Sequence, residues 1–422
     1  MSEPIPIVRK GALLQIYLLA SQALPLLGPP LLRRRLRRGK EDTTRWREKL
    51  GEPSARKPEA PVIWMHAVGL GEVLALRGLI GEMSAKAPEA EFLVTSSARS
   101  SAQVLARNLP ARTRHQFLPL DAPGYLKRFL DHWQPALSIW AEQELWPGAV
   151  VAAHDRGVPL AMVNARISAK SYAKRARVRQ LYADLLARFK LVSAQDQATA
   201  CRLEGLGASS VRIDGSLKPA APALVADEAE HARLQAGLSG RSVWVAASTH
   251  PGDETEALLA AHTLPERLLI LVPRDIRRAD DIASEAIKQG FSVLRRSQGG
   301  LPADTTRIWL ADSYGEMGLW YRLADAALVG GGFDEIGGHN PWEPAALGAA
   351  VLHGPDVRNF ERDYATLREA QAARQVARGS LADALKDPEL FEMAHRAHAL
   401  VERARGSLAP LATELLALAR LQ

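Results

Sequence analysis

The fold is decided by two similar stretches of the chain, Val62-Ile-Trp-Met-His-Ala-Val-Gly-Leu-Gly-Glu72 and Val243-Trp-Val-Ala-Ala-Ser-Thr-His-Pro-Gly-Asp253. Each stretch reads as a short apolar strand, then a turn, then a glycine and an acidic residue that open a helix. The second half of the chain therefore repeats the opening of the first. This repeat predicts two Rossmann-like halves.

Both halves continue with short apolar runs that alternate with longer amphipathic ones, a pattern typical of parallel α/β units. The runs that we interpret as strands are residues 91–95, 136–140 and 159–163 in the first half and 268–272, 308–310, 326–329 and 350–352 in the second. Ligands of such sheets bind outside the carboxyl ends of the strands. We therefore expect an α/β fold of two Rossmann-like domains that face each other across a cleft.

Composition divides the chain into three parts. Residues 1–40 are expected to form a membrane-anchor segment with a basic flank, residues 41–220 the first domain, and residues 221–422 the second. The boundary lies in a Pro/Ala-rich stretch, residues 218–228, which is suited to a hinge. The last helix is free to pack back on the first domain.

The overall composition is that of a folded enzyme in a reducing compartment. The 422 residues are 47% hydrophobic and 24% charged, and the single cysteine, Cys201, excludes an intramolecular disulfide. Six of the seven net positive charges are contributed by residues 33–40, Arg-Arg-Arg-Leu-Arg-Arg-Gly-Lys. The remaining chain is nearly neutral, so nucleic acid is not an expected partner.

The stretch before these arginines, residues 11–32, contains no charged side chain. It is long enough to cross a hydrocarbon core of about 30 Å. Pro25, Pro29 and Pro30 interrupt a helix, so a true span and an interfacial anchor both remain open. In either case the arginines attract anionic lipids and hold the following domain on the cytoplasmic side. A helix buried in a soluble domain is the alternative, which leaves the arginines unexplained.

Unusual residues collect where the predicted strands end, in residues 66–72, 142–147, 248–250, 273–274, 330–332 and 337–344. With these motifs, and with residues 45–51, 118–121, 164–166 and 315–316 in the same order, the chain resembles the Kdo transferases of lipopolysaccharide synthesis. These are GT-B glycosyltransferases that move 3-deoxy-D-manno-octulosonic acid (Kdo) from CMP-Kdo to a lipid A precursor. The resemblance implies a GT-B fold, these two substrates, and a place on the cytoplasmic face of the inner membrane.

Three acidic residues are candidates for the chemistry. Glu72 follows a glycine turn in the first turn of a helix, where a carboxylate is favoured and can take a proton from a hydroxyl. The resemblance implies that Glu72 is the general base, that Glu142 is catalytic or supports the base, and that Glu144 contacts the acceptor. The alternatives are a plain first-turn acid for Glu72 and loop acids paired with an arginine for the other two.

The second half is expected to bind the nucleotide. Residues Ser248, Thr249 and His250 follow a strand and precede a helix, an arrangement that favours an anion. Arg274, at the next strand end, supplies a permanent charge and a bidentate fork.

Two further segments complete the predicted donor site. Glu316 lies in another strand-end loop and is a candidate for the nucleotide or its loops. Asn340 is expected to cap a helix, and the resemblance implies that Glu343 accepts hydrogen bonds from the ribose. The alternative is that Asn340 is only a helix cap and Glu343 only an acid in the first helical turn. It explains these two residues equally well.

Residues 166–179 contain six basic residues and no acid, from which we select Arg166 and Lys170 as the candidates for the phosphorylated acceptor. A solvated helical face is the alternative. The chain has no Asp-x-Asp or His-x-x-x-His pair suited to a metal, and we expect neither a metal ion nor a cofactor.

The residues and the resemblance together imply an inverting, metal-independent glycosyltransferase. Another membrane-associated GT-B glycosyltransferase or a nucleotide-sugar epimerase is the alternative among enzymes. A catalytically inactive, membrane-tethered binding protein is the alternative from a different class. A turnover assay with a CMP-linked donor separates all of these.

Overall fold

The computed structural model of the protein describes residues 8–68, 70–97, 109–142, 144–238 and 240–421. Gly69 of the predicted turn, Gln143 of the 142–147 motif and residues 1–7 of the predicted anchor segment lie outside these ranges. The chain divides into two units, Met1–Ala221 with Ala404–Gln422, and Pro222–Arg403. The expected boundary at 220/221 is thus found one residue later, and residues 404–422 belong to the first unit.

The first unit contains a seven-stranded parallel sheet in the order β3-β2-β1-β4-β5-β6-β7. Its strands are β1 Val62–His66, β2 Glu91–Ser96, β3 Thr113–Phe117, β4 Leu137–Ala141, β5 Leu160–Ala165, β6 Leu191–Ala194 and β7 Arg212–Ile213. Val62 and Trp64 of β1 pack into the core on one face of the sheet, while Ile63 and Met65 pack into the core on the other. Because helices cover both faces, the strand is apolar throughout rather than alternating.

The helices described in the first unit are α1 Ala12–Ser21, α2 Leu24–Arg37, α3 Leu70–Lys86, α4 Pro123–Trp133, α5 Pro147–His154, α6 Ala169–Ala176, α7 Arg179–Leu186, α8 Gln197–Leu206 and, at the end of the chain, α17 Leu408–Ala419. Helix α17 packs on α3: Leu411 and Leu415 share a hydrophobic cluster with Leu76 and Leu79. The end of the chain thus completes the core of the first unit.

The second unit contains another seven-stranded parallel sheet, in the order β10-β11-β9-β8-β12-β13-β14. Its strands are β8 Val243–Thr249, β9 Leu268–Pro273, β10 Val293–Arg295, β11 Ile308–Leu310, β12 Ala326–Val329, β13 Ala350–His353 and β14 Ala373–Gln375. Its helices include α9 Glu228–Gly237, α10 Pro251–Thr263, α11 Ala279–Lys288, α12 Met317–Leu323, α13 Trp342–Ala345, α14 Glu361–Glu369, α15 Leu381–Lys386 and α16 Glu389–Gly406, whose last three residues belong to the first unit. Trp244 and Val245 of β8 point into cores on opposite faces of this sheet.

The predicted α/β class with two parallel sheets is confirmed, but five strands were missed: β3, β6, β7, β10 and β14. Four of them are the edge strands of the two sheets. Edge strands are short and carry few apolar residues, as Thr113–Phe117 shows. Their sequences therefore lack the apolar run by which central parallel strands are recognised.

The predicted anchor segment forms two helices, α1 and α2, that are bent by 58° relative to each other. Neither helix alone is long and apolar enough to cross a membrane, whereas the bent pair has the combined length and composition of a broken span. The break lies at residues 22–23, and Pro29 and Pro30 lie inside α2 instead of interrupting it. Helix α2 packs on the body of the unit, where Leu32 shares a hydrophobic cluster with Leu50 and Tyr125, and packing outweighs propensity.

One side of this helical pair is attached to the body of the first unit. Leu14 and Leu32 are buried there, and the Tyr17 hydroxyl donates a hydrogen bond of 2.7 Å to Asp121. The other side carries six exposed apolar residues, Leu13, Ile16, Leu19, Leu26, Leu27 and Leu31. The alternative of a helix buried in a soluble domain therefore describes one side only.

Two of the sequence motifs stabilise this unit. Glu48, from residues 45–51, is buried and accepts hydrogen bonds from Arg45 at 2.8 Å and from the Phe117 backbone at 2.7 Å, which joins the segment to β3. Asp121, from residues 118–121, accepts two backbone N–H bonds of 2.8 Å at the start of α5. These carboxylates explain the motifs without a role in chemistry.

Candidate functional site

The candidate residues cluster at the topological switch point of each sheet, where the strand order changes direction. In the first sheet this point lies between β1 and β4, and Glu72 and Glu142 follow these two strands. In the second it lies between β8 and β12, which are followed by His250 and by the glycine-rich residues 330–332. Crevices at switch points are the usual ligand sites of open parallel sheets.

Glu72 and Glu142 interact with each other, through the charge of Glu72 and a side-chain hydrogen bond between the two carboxyl groups. Glu72 also accepts a hydrogen bond of 2.8 Å from the Val68 backbone, which holds it in the first turn of α3. Burial and then the neighbouring Glu72 charge raise the pKa of Glu142 from 4.5 to about 7, against the opposing effect of Lys218 and Arg166. The pair therefore holds one proton below neutral pH and binds a proton readily near pH 7.

Backbone strain marks three strand ends at these clusters. Glu142, Asn164 and Ser248 have positive φ angles of 62°, 55° and 56°, which side-chain-bearing residues seldom adopt. The Asn164 side chain accepts a hydrogen bond of 3.0 Å from the Leu217 backbone and so holds the segment that carries Lys218. Strained residues of this kind collect at functional sites.

The other residues predicted to bind the acceptor differ in whether they lie near the carboxylate pair. Glu144 belongs to the cluster, since burial and the Glu72 charge raise its pKa while Arg175 opposes the shift. Lys170 is exposed near the start of α6, and none of the described residues forms a hydrogen bond or ion pair with its side chain. Lys218 was missed, although its position five residues after a strand, in Gly-Ser-Leu-Lys, offered a signal.

In the second unit, the structure brings Arg274, Asn340 and Glu343 together; their binding of the donor stays a prediction. Burial raises the pKa of Glu343. The hydrogen bond of 3.2 Å that the Asn340 amide donates to it and the positive charge of Arg274 both act in the opposite direction. Asn340 also accepts a hydrogen bond of 3.1 Å from the Trp342 backbone, so it caps α13 as well. Asn340 can therefore cap the helix and hold Glu343 at the same time. The exposed Arg274 guanidinium has no hydrogen-bond or ion-pair partner among the described residues.

His250 faces a second imidazole, His339, which sequence reasoning did not select. The two Nε2 atoms lie 3.1 Å apart, and the ring planes are inclined by 14°. The signal available was the position of His339 in the Gly-Gly-His-Asn run after β12.

Carboxylates of the protein accept hydrogen bonds at the N-terminus of α10, where the sequence predicts an anion; anion binding there stays a prediction. Asp334 accepts a hydrogen bond of 2.9 Å from the Gly252 backbone. Asp253 accepts hydrogen bonds from the backbones of His250 and Gly331 at 2.9 and 2.7 Å, and so ties α10 to the glycine-rich loop. An anion at this point would have to share or replace these contacts.

Two predicted donor residues are engaged inside the protein. Thr249 is buried and its hydroxyl donates to Glu254 at 3.2 Å. Glu316 forms an ion pair of 2.6 Å with Arg296 and accepts a hydrogen bond of 2.6 Å from Ser313. Their predicted contact with the donor stays a prediction.

The first unit thus offers a carboxylate pair that can accept a proton, and the second offers a cation, two imidazoles and a carboxylate that can bind phosphate and hydroxyl groups. Within the described ranges, no group of three or more His, Cys, Asp or Glu residues is placed to hold a metal ion.

Comparison with known proteins gives concordant results. A family profile described as "3-Deoxy-D-manno-octulosonic-acid transferase (kdotransferase)" matches residues 44–221. A 3-deoxy-D-manno-octulosonic acid transferase of Rickettsia bellii is 34% identical over 349 residues, which cover 82% of this chain and 83% of that protein. One from Bordetella pertussis is 34% identical over 406 residues, covering 92% and 94%.

Among solved structures, the UDP-GlcNAc 2-epimerase of Neisseria meningitidis bound to UDP-GlcNAc matches with a TM-score of 0.53 at 11% identity, covering 84% of this chain and 99% of that chain. At this level of identity the match shows a common fold and nothing about the reaction.

Proposed function

The chain belongs to the 3-deoxy-D-manno-octulosonic acid transferase family of glycosyltransferases, and from this we propose that it transfers Kdo from CMP-Kdo to a phosphorylated lipid A precursor with inversion at the anomeric carbon. Family membership favours a transferase over the epimerase and over the inactive binding protein. The donor, the acceptor and the stereochemistry are the proposed part.

The observation that carries the proposal is the hydrogen-bonded pair of Glu72 and Glu142 at the switch point of the first sheet. An alcohol is a weak nucleophile, and a positioned base accelerates its attack by about 10²–10⁴. The pair is matched to this task because it binds a proton with a pKa of about 7. A base is most effective when its pKa lies near the working pH.

In the proposed reaction, Glu72 takes the proton of an acceptor hydroxyl while the hydroxyl oxygen forms a bond to the anomeric carbon of Kdo. The bond from that carbon to the phosphate oxygen breaks, and CMP leaves with the electron pair. Glu142 then shares the proton that Glu72 has received. A single displacement of this kind inverts the anomeric configuration.

The second unit supports a donor with one phosphate and a ribose. Arg274 supplies a planar, permanently charged fork for the phosphate. Glu343, held by Asn340 at 3.2 Å, is a hydrogen-bond acceptor for ribose hydroxyls. The phosphorylated acceptor is assigned to the basic side chains beside the carboxylate pair, Arg166 and Lys218, with the exposed Lys170 at the periphery.

The test is turnover of the full chain with CMP-Kdo and a tetra-acylated lipid A precursor, with the product identified by mass spectrometry. Glu72→Gln should lower kcat by about 10² or more with unchanged CMP affinity and melting temperature. The matched control is Glu82→Gln, which removes a carboxylate from the same helix and loses only a surface pair with Lys86. Near-normal turnover by Glu72→Gln would refute the assignment of the base.

We also propose that the chain works on the cytoplasmic face of the inner membrane. The six exposed apolar residues of α1 and α2 lie beside the arginines of residues 33–38. Apolar side chains next to basic ones suit an anionic lipid surface, at about 1 kcal/mol for each basic residue near it.

Flotation with vesicles tests this location. The full chain should bind vesicles that contain phosphatidylglycerol more strongly than vesicles of phosphatidylcholine alone. Combining Leu26→Ser with Leu27→Ser should reduce binding, whereas Leu259→Ser, at an exposed leucine of the second unit, should not. Equal binding by all variants would exclude this surface as the membrane contact.

A further inference from the structure

The imidazoles of His250 and His339 meet at the switch point of the second sheet. His250 follows β8, and His339 lies in the loop after β12, the neighbouring strand. The His339 backbone is held at both ends, since its N–H donates to Gly330 at 3.1 Å and its carbonyl accepts from the Tyr364 hydroxyl at 3.0 Å. The backbone that carries the His339 imidazole is therefore fixed by the fold.

The distance of 3.1 Å between the two Nε2 atoms determines how many protons the contact can hold. One nitrogen must carry a hydrogen and donate it, while the other must offer its lone pair. Two N–H groups in this position would repel each other. Burial, followed by the effects of His250 and Arg274, lowers the pKa of His339 to about 4, which agrees with a neutral pair at pH 7.

Arg274 supplies positive charge beside the pair, and the carboxylates of this part of the unit are hydrogen-bonded within the protein. Arg274 lies close enough to lower the pKa of His339. Asp253, on α10, accepts hydrogen bonds from the backbone N–H groups of His250, Gly331 and Phe333. Asp334 is hydrogen-bonded at the start of the same helix, and Glu343 is held on α13 by Asn340. The phenol of Tyr364 is bonded to the His339 carbonyl, and Arg274 and the pair are the charged and imidazole donors of this cluster.

We propose that the His250–His339 pair and Arg274 bind the phosphate of the nucleotide donor, and that the pair takes up one proton from solvent when the phosphate binds. The Nε2 that lacked a hydrogen gains one, the bond between the rings breaks, and each ring donates an N–H to a phosphate oxygen. This inference rests on the proposed function and adds His339 to the catalytic residues.

The proton has its greatest effect on the departing group. In the intact donor the phosphate is a diester with one negative charge. When its bond to the sugar breaks, the phosphate becomes a monoester whose second pKa is about 6, so a second negative charge develops at pH 7. Two imidazole N–H groups in place of one then stabilise the transition state more than the bound donor, which is the condition for catalysis.

Calorimetric titration of the full chain with CMP at pH 7.5, in buffers of different ionisation enthalpy, measures the protons taken up. We expect close to one proton for CMP and none for cytidine, which lacks the phosphate. Between pH 8 and 7 the Kd for CMP should fall about tenfold, as uptake of one proton requires. His339→Gln and His250→Gln should abolish the uptake, whereas His398→Gln, at a surface histidine, should keep it.

Binding of CMP by the wild-type chain without proton uptake would overturn the inference and leave the proposed function standing. Uptake that persists in His339→Gln would overturn it as well. Absence of CMP binding at any pH, together with absence of turnover, would instead refute the proposed function. Because the wild-type measurement decides by itself, the test does not depend on the folding of the variants.

Discussion

The proposed role of the carboxylate pair as the base can be tested quantitatively with Glu142→Gln. This substitution keeps the size of the side chain and removes its ability to ionise. The pair is fully ionised only above its pKa of about 7. In that state Glu72 accepts the acceptor's proton most readily, because the proton is then shared by two carboxylates. We therefore expect kcat/KM of the wild-type enzyme to rise with pH through about 7 and to level off above it.

The magnitude follows from the raised pKa. A rise from 4.5 to about 7 corresponds to about 3 kcal/mol of proton affinity. Glu142 is only partly buried, so solvent screens a share of this energy. If about half of the basicity is expressed in the transition state, Glu142→Gln should lower kcat/KM about tenfold at pH 8 and move the acid limb to lower pH.

The assay is the pH dependence of kcat/KM between pH 5.5 and 9, with Glu144→Gln as the matched control. The negative charge of Glu72 raises the pKa of Glu144. Its replacement should raise KM for the acceptor and leave the acid limb in place. If Glu142→Gln retained an acid limb near pH 7 with wild-type rates, the pair would not be the base.

The same pKa predicts how stability depends on pH. An acid whose pKa is raised in the folded state binds protons more tightly there than in the unfolded chain, so its contribution is favourable in acid and is lost as the pH rises through about 7. Glu142→Gln should therefore raise the melting temperature at pH 8 and change it little at pH 4.5.

Further predictions concern the attachment of α1 and the donor site. Tyr17→Phe should lower the free energy of unfolding by about 1 kcal/mol, because Asp121 loses one hydrogen bond, and urea denaturation measures this. Leu14→Ala removes a fully buried side chain and should cost about 2–5 kcal/mol in the same assay. Arg274→Ala should weaken CMP binding tenfold or more but cytidine binding little, and Glu343→Gln should weaken both; calorimetry with the two ligands checks the pattern.

The central strands of both sheets were predictable because a buried parallel strand is apolar along its whole length. Strand β1, Val62–His66, lies at the predicted residues. Strand β7, Arg212–Ile213, was not predictable, since two residues on a sheet edge leave no periodic pattern. The helical pair at the N-terminus was predicted as an apolar segment, but only packing shows which of its leucines are buried and which remain exposed.

Candidate site residues were identified by their place at strand ends, which reveals Glu72 and Glu142 without showing that they touch. Their hydrogen bond depends on β1 and β4 being neighbours, although about 70 residues separate the two carboxylates in the chain. His339 and Lys218 were missed for the same reason. The position of each after a strand was a local signal, but the group that each one meets lies far away in the sequence.

The amino-acid sequence by itself determined the two α/β halves, the apolar segment with its arginines, the family, and the acids and bases available at strand ends. These depend on local composition and order, which the chain carries in any conformation. Tertiary structure alone decided the pairing of Glu142 with Glu72, the meeting of His250 with His339, and the use of the α10 N-terminus by carboxylates of the protein. Strand order sets these contacts, and the pKa values follow from the burial and neighbouring charges that the contacts create.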